Sequence, residues 1–303
     1  MATTLANLAD SRTQEALSAE FLLKLADRAS LMQHPAIAAG YAGTCTAAGS
    51  AVMRLPHVGF MGYDLLASVA DGANISETTL VDDKTDITVG RYGKMYKPSD
   101  LARLTAVNGL LDPEMFAADA FASYQATLVS LMAGVMDDFT ATKGNAAADL
   151  DASAFLDAIT ALEVAKVDGG LMAILSPLQV GDLRKNLSTA TNGALQWIAA
   201  ETDQLVYKSG NFKGSFLGVE VYSSSFVPDV GTAFEGGMFG AGAIAWADGS
   251  VGDVEGAINV GGKVLFEADR DAKAGATEYV TQCYLGVTMG IDAAGVTLTS
   301  ADT

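Results

Sequence analysis

Apolar and polar positions alternate in different rhythms along this chain, and the rhythm changes five times. From Ser18 to about Gln33 the spacing is helical. Ser18 caps the segment, Leu17 and Leu22 take the two positions of a hydrophobic staple, and Leu22, Leu25 and Ala29 continue one face. His34-Pro35 ends it, because the residue before a proline is pushed out of the helical region. The next stretch, AIAAGYAGTCTAAGSAV, is small and apolar without a period. It predicts chain that lies on another surface or is loosely ordered. From about 64 to 100 the rhythm becomes that of an extended hairpin. ANISETTL and TDITVGRYGKMY are its strands, and Val81-Asp82-Asp83-Lys84 its polar turn. Gly90 and Gly93 mark a bulge or a close backbone approach. A two-stranded hairpin is marginal alone in water, so a projecting one needs a neighbour.

Asp112-Pro113-Glu114 is a strong helix start, with a cap, a proline in the first helical position and an acidic first turn. Phe121, Tyr124, Leu128, Leu131, Val135 and Phe139 follow at spacings of three or four, and Gly144 closes the pattern. This predicts a helix of nearly 30 residues, or roughly 40 Å at 1.5 Å per residue. From about 148 the pattern is mixed α/β. Phe155, Ile159 and Leu162 give one helix face within Asp151 to Val167. Leu171 to Leu175 reads as a buried strand, and Ser176-Pro177 starts a helix through about Leu187. Gly214, Gly218, Val219 and Val221 predict a hairpin, and Gly240 to Trp246 another strand. The segment from about 256 to 303 is β-rich. Val264, Phe266 and Ala268 alternate with polar positions, DRDAKAGATE is a turn, and Thr277 to Gly290 and Gly295 to Thr299 complete one sheet. This sheet is the natural partner for the long helix, which has no strand close by in sequence.

Composition sharpens the picture. The chain has 303 residues, enough for a sizeable core and more than one lobe. Charged residues are 18%, against about 25% in ordinary globular proteins. With 32 glycines, so few charges suggest either much surface buried against something, most simply other copies of the chain, or an ordinary Ala- and Gly-rich globular protein. The 36 acidic and 18 basic residues leave a net charge of −18. No basic run supplies the cationic stripe that grips a phosphate backbone. An acidic wall can still enclose nucleic acid that must not adhere to it. Cys45 and Cys283 lie too far apart to read as a disulfide framework, and Cys283 reads as a small core residue. No signal-peptide pattern and no apolar run of membrane-spanning length are expected.

Local motifs argue against an active site. GAGAIA, Gly240 to Ala245, fits a dinucleotide fingerprint only if a helix follows, and Asp248-Gly249 interrupts the chain too soon. Asp269, Asp271 and Glu278 resemble a calcium loop, but Lys273 and Ala274 occupy its ligand and glycine positions. His34 and His57 form no helix-spaced metal pair. No catalytic residue, metal ligand or cofactor is expected.

The order arm, extended hairpin, long helix, α/β lobe and returning β segment resembles the major capsid proteins of tailed double-stranded DNA bacteriophages, the Hong Kong 97 type. LSPLQVGDLRKNL, FKGSFLGVEVYSSSFVP, MFGAGAIAWADG and VLFEADRDAKAGATEYV carry the local likeness. The resemblance implies an α+β HK97-like capsid fold: an N-terminal arm at 1–56, an E-loop hairpin and its flanks at 57–100, the spine helix of a P domain at 101–147, an A domain at 148–255, and the returning β segment of the P domain at 256–303. It further implies pentamers and hexamers that close into an icosahedral shell around phage DNA, bound without sequence specificity. The virion capsid is then the location, with assembly in the host cytoplasm and no membrane. Some relatives carry a long scaffolding segment. About 56 residues precede the hairpin here, so a separate scaffolding protein is expected, with a portal and possible decoration proteins. Some relatives also cross-link an E-loop lysine to a P-domain asparagine, but Gly261 to Thr303 has no asparagine, so no such bond is expected. Arg91, Tyr92, Lys94, Met95 and Tyr96 of the E-loop, and Phe21, Leu22 and Leu25 of the arm, are the expected assembly contacts. Two alternatives remain open. One is an encapsulin, which shares the fold but stores cargo enzymes. The other is a soluble α/β enzyme.

Overall fold

The computed structural model describes residues 36, 41–46, 52–58, 68, 71, 74, 82–105, 113–167, 170–189, 197–199, 212–231, 233–250, 257–260 and 264–301. The helix predicted over Ser18 to Gln33 lies outside them. In chain order the elements are β1 (Tyr41–Thr46), β2 (Val52–Val58), β3 (Asp82–Thr88), β4 (Gly90–Tyr96), α1 (Asp100–Thr105), α2 (Pro113–Ala133), β5 (Thr142–Gly144), α3 (Ala152–Val164), β6 (Met172–Leu175), α4 (Pro177–Thr189), β7 (Trp197–Ala199), β8 (Phe212–Phe216), β9 (Val219–Ser223), β10 (Ala233–Phe239), β11 (Ile244–Ser250), β12 (Ala257–Val260), β13 (Val264–Asp271), β14 (Ala276–Met289) and β15 (Gly295–Ala301).

The seven-stranded sheet has the order β5-β15-β10-β6-β9-β8-β7. It is covered on both faces, and strand β6 shows how. Ala173 and Leu175 join the core formed with Phe155, Ile159 and Leu162 of α3 and Val180 and Leu183 of α4. Met172 and Ile174, between them, join the core beneath α2. All four are buried, as a strand with both faces covered requires. Asp151 caps α3 by accepting the Ala154 N–H at 2.8 Å. Ser176 and Gln179 form a reciprocal capping box on α4.

The second sheet has the order β1-β11-β14-β13-β12, with β4 also paired to β14. Along its far edge β14 pairs with β13. On its other side it pairs first with β4, Tyr279 to Leu285, then with β11, Leu285 to Met289. The unperiodic Tyr41–Thr46 stretch lies parallel to β11. Helix α2 packs on β14. Tyr124, Leu128 and Met132 share one core with Val264, Phe266, Cys283 and Leu285.

Four expectations need correction. The spine helix ends at Ala133 rather than near Gly144, giving 21 residues. The Val135 N–H bonds the Met132 carbonyl, three residues back, and the chain tightens into a 3-10 turn at Met136–Asp138. The apolar pattern continues past Gly134 because Met136 and Phe139 still enter the core, not because the helix does. Gly240 to Trp246 is not one strand: the chain turns at Gly240–Ala243 and β11 starts at Ile244. The tail does not complete one sheet, since β15 leaves β14 and inserts between β5 and β10. The fourth correction concerns the hairpin and follows below. Among the described residues, no helix is long and apolar enough to cross a membrane.

Candidate assembly surface

Strands β2 and β3 form a separate antiparallel ribbon, paired from Val52↔Thr88 to Val58↔Asp82. Asp82, Asp83 and Lys84 are therefore strand residues, not the turn that their polarity suggested. Along β3 Thr85 and Ile87 are buried while Lys84, Asp86 and Thr88 are exposed, so polar side chains suit its outer face and give no turn signal. Its partner is β2 rather than ANISETTL, of which only Asn74 lies within the described residues. Arg54 sits directly opposite Asp86 and bonds it through two nitrogens, at 2.7 and 3.1 Å.

The ribbon is rooted on the second sheet. Ile87 is fully buried against Ala245 and Ala247, with Met53 and Val89 around it. At Gly286 of β14 a Cβ would stand 2.5 Å from the Thr88 carbonyl oxygen, so only glycine lets β3 cross this closely. One residue later, after Val89, the chain enters β4 and changes sheets.

β4 alternates its side chains between two environments. Tyr92, Lys94 and Tyr96 turn toward α2. Tyr92 packs on the main core. Lys94 pairs with Asp119 and bonds Ser123 Oγ at 3.3 Å. Tyr96 meets Phe116 at a tilt (5.0 Å between centroids), and Phe116 stacks on Tyr279 (5.2 Å). Arg91 and Met95 turn the other way, and Met95 is 57% exposed. With Gly93, Lys94, Val280, Gln282 and Glu267 they line an open depression. The five E-loop candidates thus divide into three that anchor β4 within the subunit and two that face outward. Phe21, Leu22 and Leu25 of the arm lie outside the described residues.

The base of β4 is clasped by the turn between β13 and β14. Lys97 bridges Asp271 at 2.6 Å and Glu278 at 2.7 Å. Arg270 forks onto both oxygens of Asp100 at 2.6 Å. Backbone bonds run from the Asp100 N–H to the Gly275 carbonyl and from the Thr277 N–H to the Pro98 carbonyl. Hydrogen bonds to Asp271 and Glu278 raise the Lys97 ammonium above its ordinary pKa. The Lys97 hydrogen bond, then the Ala274 N–H, lower that of Asp271. Sequence reasoning assigned Asp271 to a solvated turn and missed this clasp, because its partners lie about 170 residues apart. Against α2, Tyr92, Ser123, Tyr124, Thr127 and Cys283 line a cavity of about 250 Å³. Burial pushes the Cys283 thiol up to about 11. GAGAIA runs from the turn into a strand, not into a helix.

No family model matches this sequence, and no curated protein does. Solved structures do. The capsid of Ralstonia phage GP4 matches with a TM-score of 0.63 and 10% identity, over 88% of this chain and 87% of that one. The head structure of Helicobacter pylori bacteriophage KHP40 matches with a TM-score of 0.59 and 13% identity, over 90% and 91%. The SrpI encapsulin of Synechococcus elongatus matches with a TM-score of 0.57 and 10% identity, over 85% and 84%. At such identities the likeness is one of fold. The fold is the α+β architecture of capsid proteins, as the sequence resemblance implied, and these neighbours are shell proteins rather than enzymes.

Proposed function

We propose that this chain is the major capsid protein of a tailed bacteriophage, a shell subunit with no catalytic site. The observation that carries this reading is the end-to-end likeness to capsid structures over about nine-tenths of the chain. In this reading 1–56 is the arm and 57–100 the E-loop with its flanks. Residues 101–147 and 256–303 make the P domain, and 148–255 the A domain. Subunits close into pentamers and hexamers through head-to-tail contacts related by rotation. Arg91 and Met95 meet a neighbouring subunit, Tyr92, Lys94 and Tyr96 hold the strand that presents them, and Phe21, Leu22 and Leu25 add arm contacts. The shell encloses double-stranded DNA, and the net charge of −18 keeps that DNA from adhering. A separate scaffolding protein, a portal and decoration proteins complete the particle, which assembles in the host cytoplasm. No cofactor takes part.

The encapsulin match supports a second reading, a nanocompartment around cargo protein. Electron microscopy of the protein expressed alone and with its neighbouring genes tests both. Closed polyhedral shells, or rings of five and six, are expected. Packaged DNA then marks the phage capsid, and a co-purifying cargo protein marks the compartment. A uniformly monomeric protein under both conditions rejects both readings.

A further inference from the structure

The 3-10 turn at the end of α2 lies on one face of the seven-stranded sheet. Thr297 donates from Oγ1 to the Met136 carbonyl at 2.6 Å. Gly237 stands directly opposite Thr297, and a Cβ there would collide with Met136 Sδ. Met136 is thereby seated over the Gly237–Thr297 row. Residues two apart on a strand share a face. The next row on this face is therefore Glu235, directly opposite Thr299. Asp137, adjacent to Met136 in the turn that packs on β10 and β15, carries a second carboxylate whose charge acts on Glu235. Burial, and then the charge of Asp137, push the Glu235 carboxyl above the usual carboxylate range.

No lysine or arginine pairs with either carboxylate among the described residues. Lys143, on the adjacent β5, stands opposite Leu298 and so belongs to the other face. A separate observation points the same way. Thr299 is 8% exposed, and its Oγ1 is buried without a hydrogen-bond partner among the described residues. A buried hydroxyl left unsatisfied needs an explanation, and a bound ion is a standard one. Glu235 and the idle Thr299 hydroxyl thus share one row, and Asp137 stands in the turn that packs on those strands.

We propose that Asp137, Glu235 and Thr299 form a divalent-cation site that takes calcium. The donors are all hard oxygens, which suit calcium or magnesium rather than zinc or copper. Calcium accepts irregular sets of six to eight oxygens at about 2.3–2.6 Å, whereas magnesium demands near-ideal octahedral geometry. Two carboxylates match the ion's charge, the hydroxyl adds a neutral oxygen, and water completes the shell. Asp137 is exposed, so the ion enters from solvent. So few protein ligands give a weak site, with a dissociation constant on the order of 10⁻⁴ to 10⁻³ M. The ion ties the end of the spine helix to β10 and β15.

The test uses the full chain, stripped with a chelator and titrated with calcium chloride. Calorimetry and thermal unfolding are both read at neutral pH, with magnesium chloride in parallel. One calcium site and a rise in the unfolding midpoint are expected, with a smaller magnesium response. Glu235→Gln and Asp137→Asn should each weaken binding at least tenfold and remove the shift. Thr299→Val should weaken it several-fold. Asp157→Asn, an exposed acid on α3, should change nothing, which separates the site from general screening of an acidic protein. Without calcium, Glu235→Gln should keep or raise the midpoint, because it removes a like-charge contact. Should Glu235→Gln fail to fold, the exposed Asp137→Asn decides. A wild-type protein indifferent to calcium overturns the proposal, as does a response that survives in Asp137→Asn. So does a pair that only shares a proton, seen as a pH-dependent midpoint with no calcium effect. None of these outcomes bears on whether shells form.

Discussion

Gln179 shows what a single side chain does for this fold. It is fully buried, and every polar atom it carries is used. Oε1 accepts the Ser176 N–H, and Nε2 donates to the carbonyls of Phe234 and Leu298. One amide thus caps α4 and ties it to β10 and β15. Gln179→Leu strands those groups in the interior, where an unsatisfied one costs about 1–3 kcal/mol. Denaturant unfolding of that variant should show a loss of about 2–4 kcal/mol, with its slope unchanged. The cap was legible in Ser176-Pro177, because capping is local. The rest of the network was not, since its acceptors lie 55 and 119 residues away. Cys283 was read correctly as a core residue, and it is buried. With its thiol pushed up to about 11, it holds almost no thiolate at neutral pH. In a Cys45→Ser background, a thiol reagent should label the native protein slowly and the unfolded protein at once. Fast native labelling at neutral pH would contradict this burial.

Among elements, the clasp at the base of β4 joins segments that no local pattern connects. Its charges are exposed, so each pair contributes modestly and salt weakens it. Its pH dependence has a definite sign. The Asp271 carboxyl is lowered, so its contribution is present above the ordinary carboxylate value and fades as pH falls through the lowered one. Lys97 is raised, so its contribution is present below the ordinary lysine value and fades only in strong base. The midpoint gap between wild type and Asp271→Asn should stay level from about pH 5 to 9 and close below about 3.9. A gap that widens in acid would mean that the carboxylate is not what holds the clasp. Most element types were readable from period alone: α3, β6, α4, the β8–β9 hairpin, β13 and β14. The failures have physical causes. An apolar stripe does not distinguish a helix from the tighter turn that prolongs its buried face, which hid the stop at Ala133. The polar start of β3, Asp82-Asp83-Lys84, has no apolar position to betray it, which put those three residues into a turn in the sequence reading.

For the molecule as a whole, the ribbon has only a small core, Ile87 against Ala245 and Ala247. Ile87 belongs to the subunit, so a deletion that removes β3 and β4 would also damage the sheet. Deleting 59–81 instead should leave a protein with a sharp thermal transition that no longer forms shells. Met95→Asp should preserve the transition and lower the yield of closed particles. Shells that form normally in both variants would place the contacts elsewhere. The seven-strand order was beyond sequence reading, because register between distant strands leaves no mark on either one. That order also bears on when the protein becomes competent. β15, which follows both of its neighbours in the chain, is an interior strand of its sheet, flanked by β5 and β10. Until β15 has been synthesised, β10 and β5 have no strand between them. A nascent chain therefore completes this sheet only once β15 has emerged.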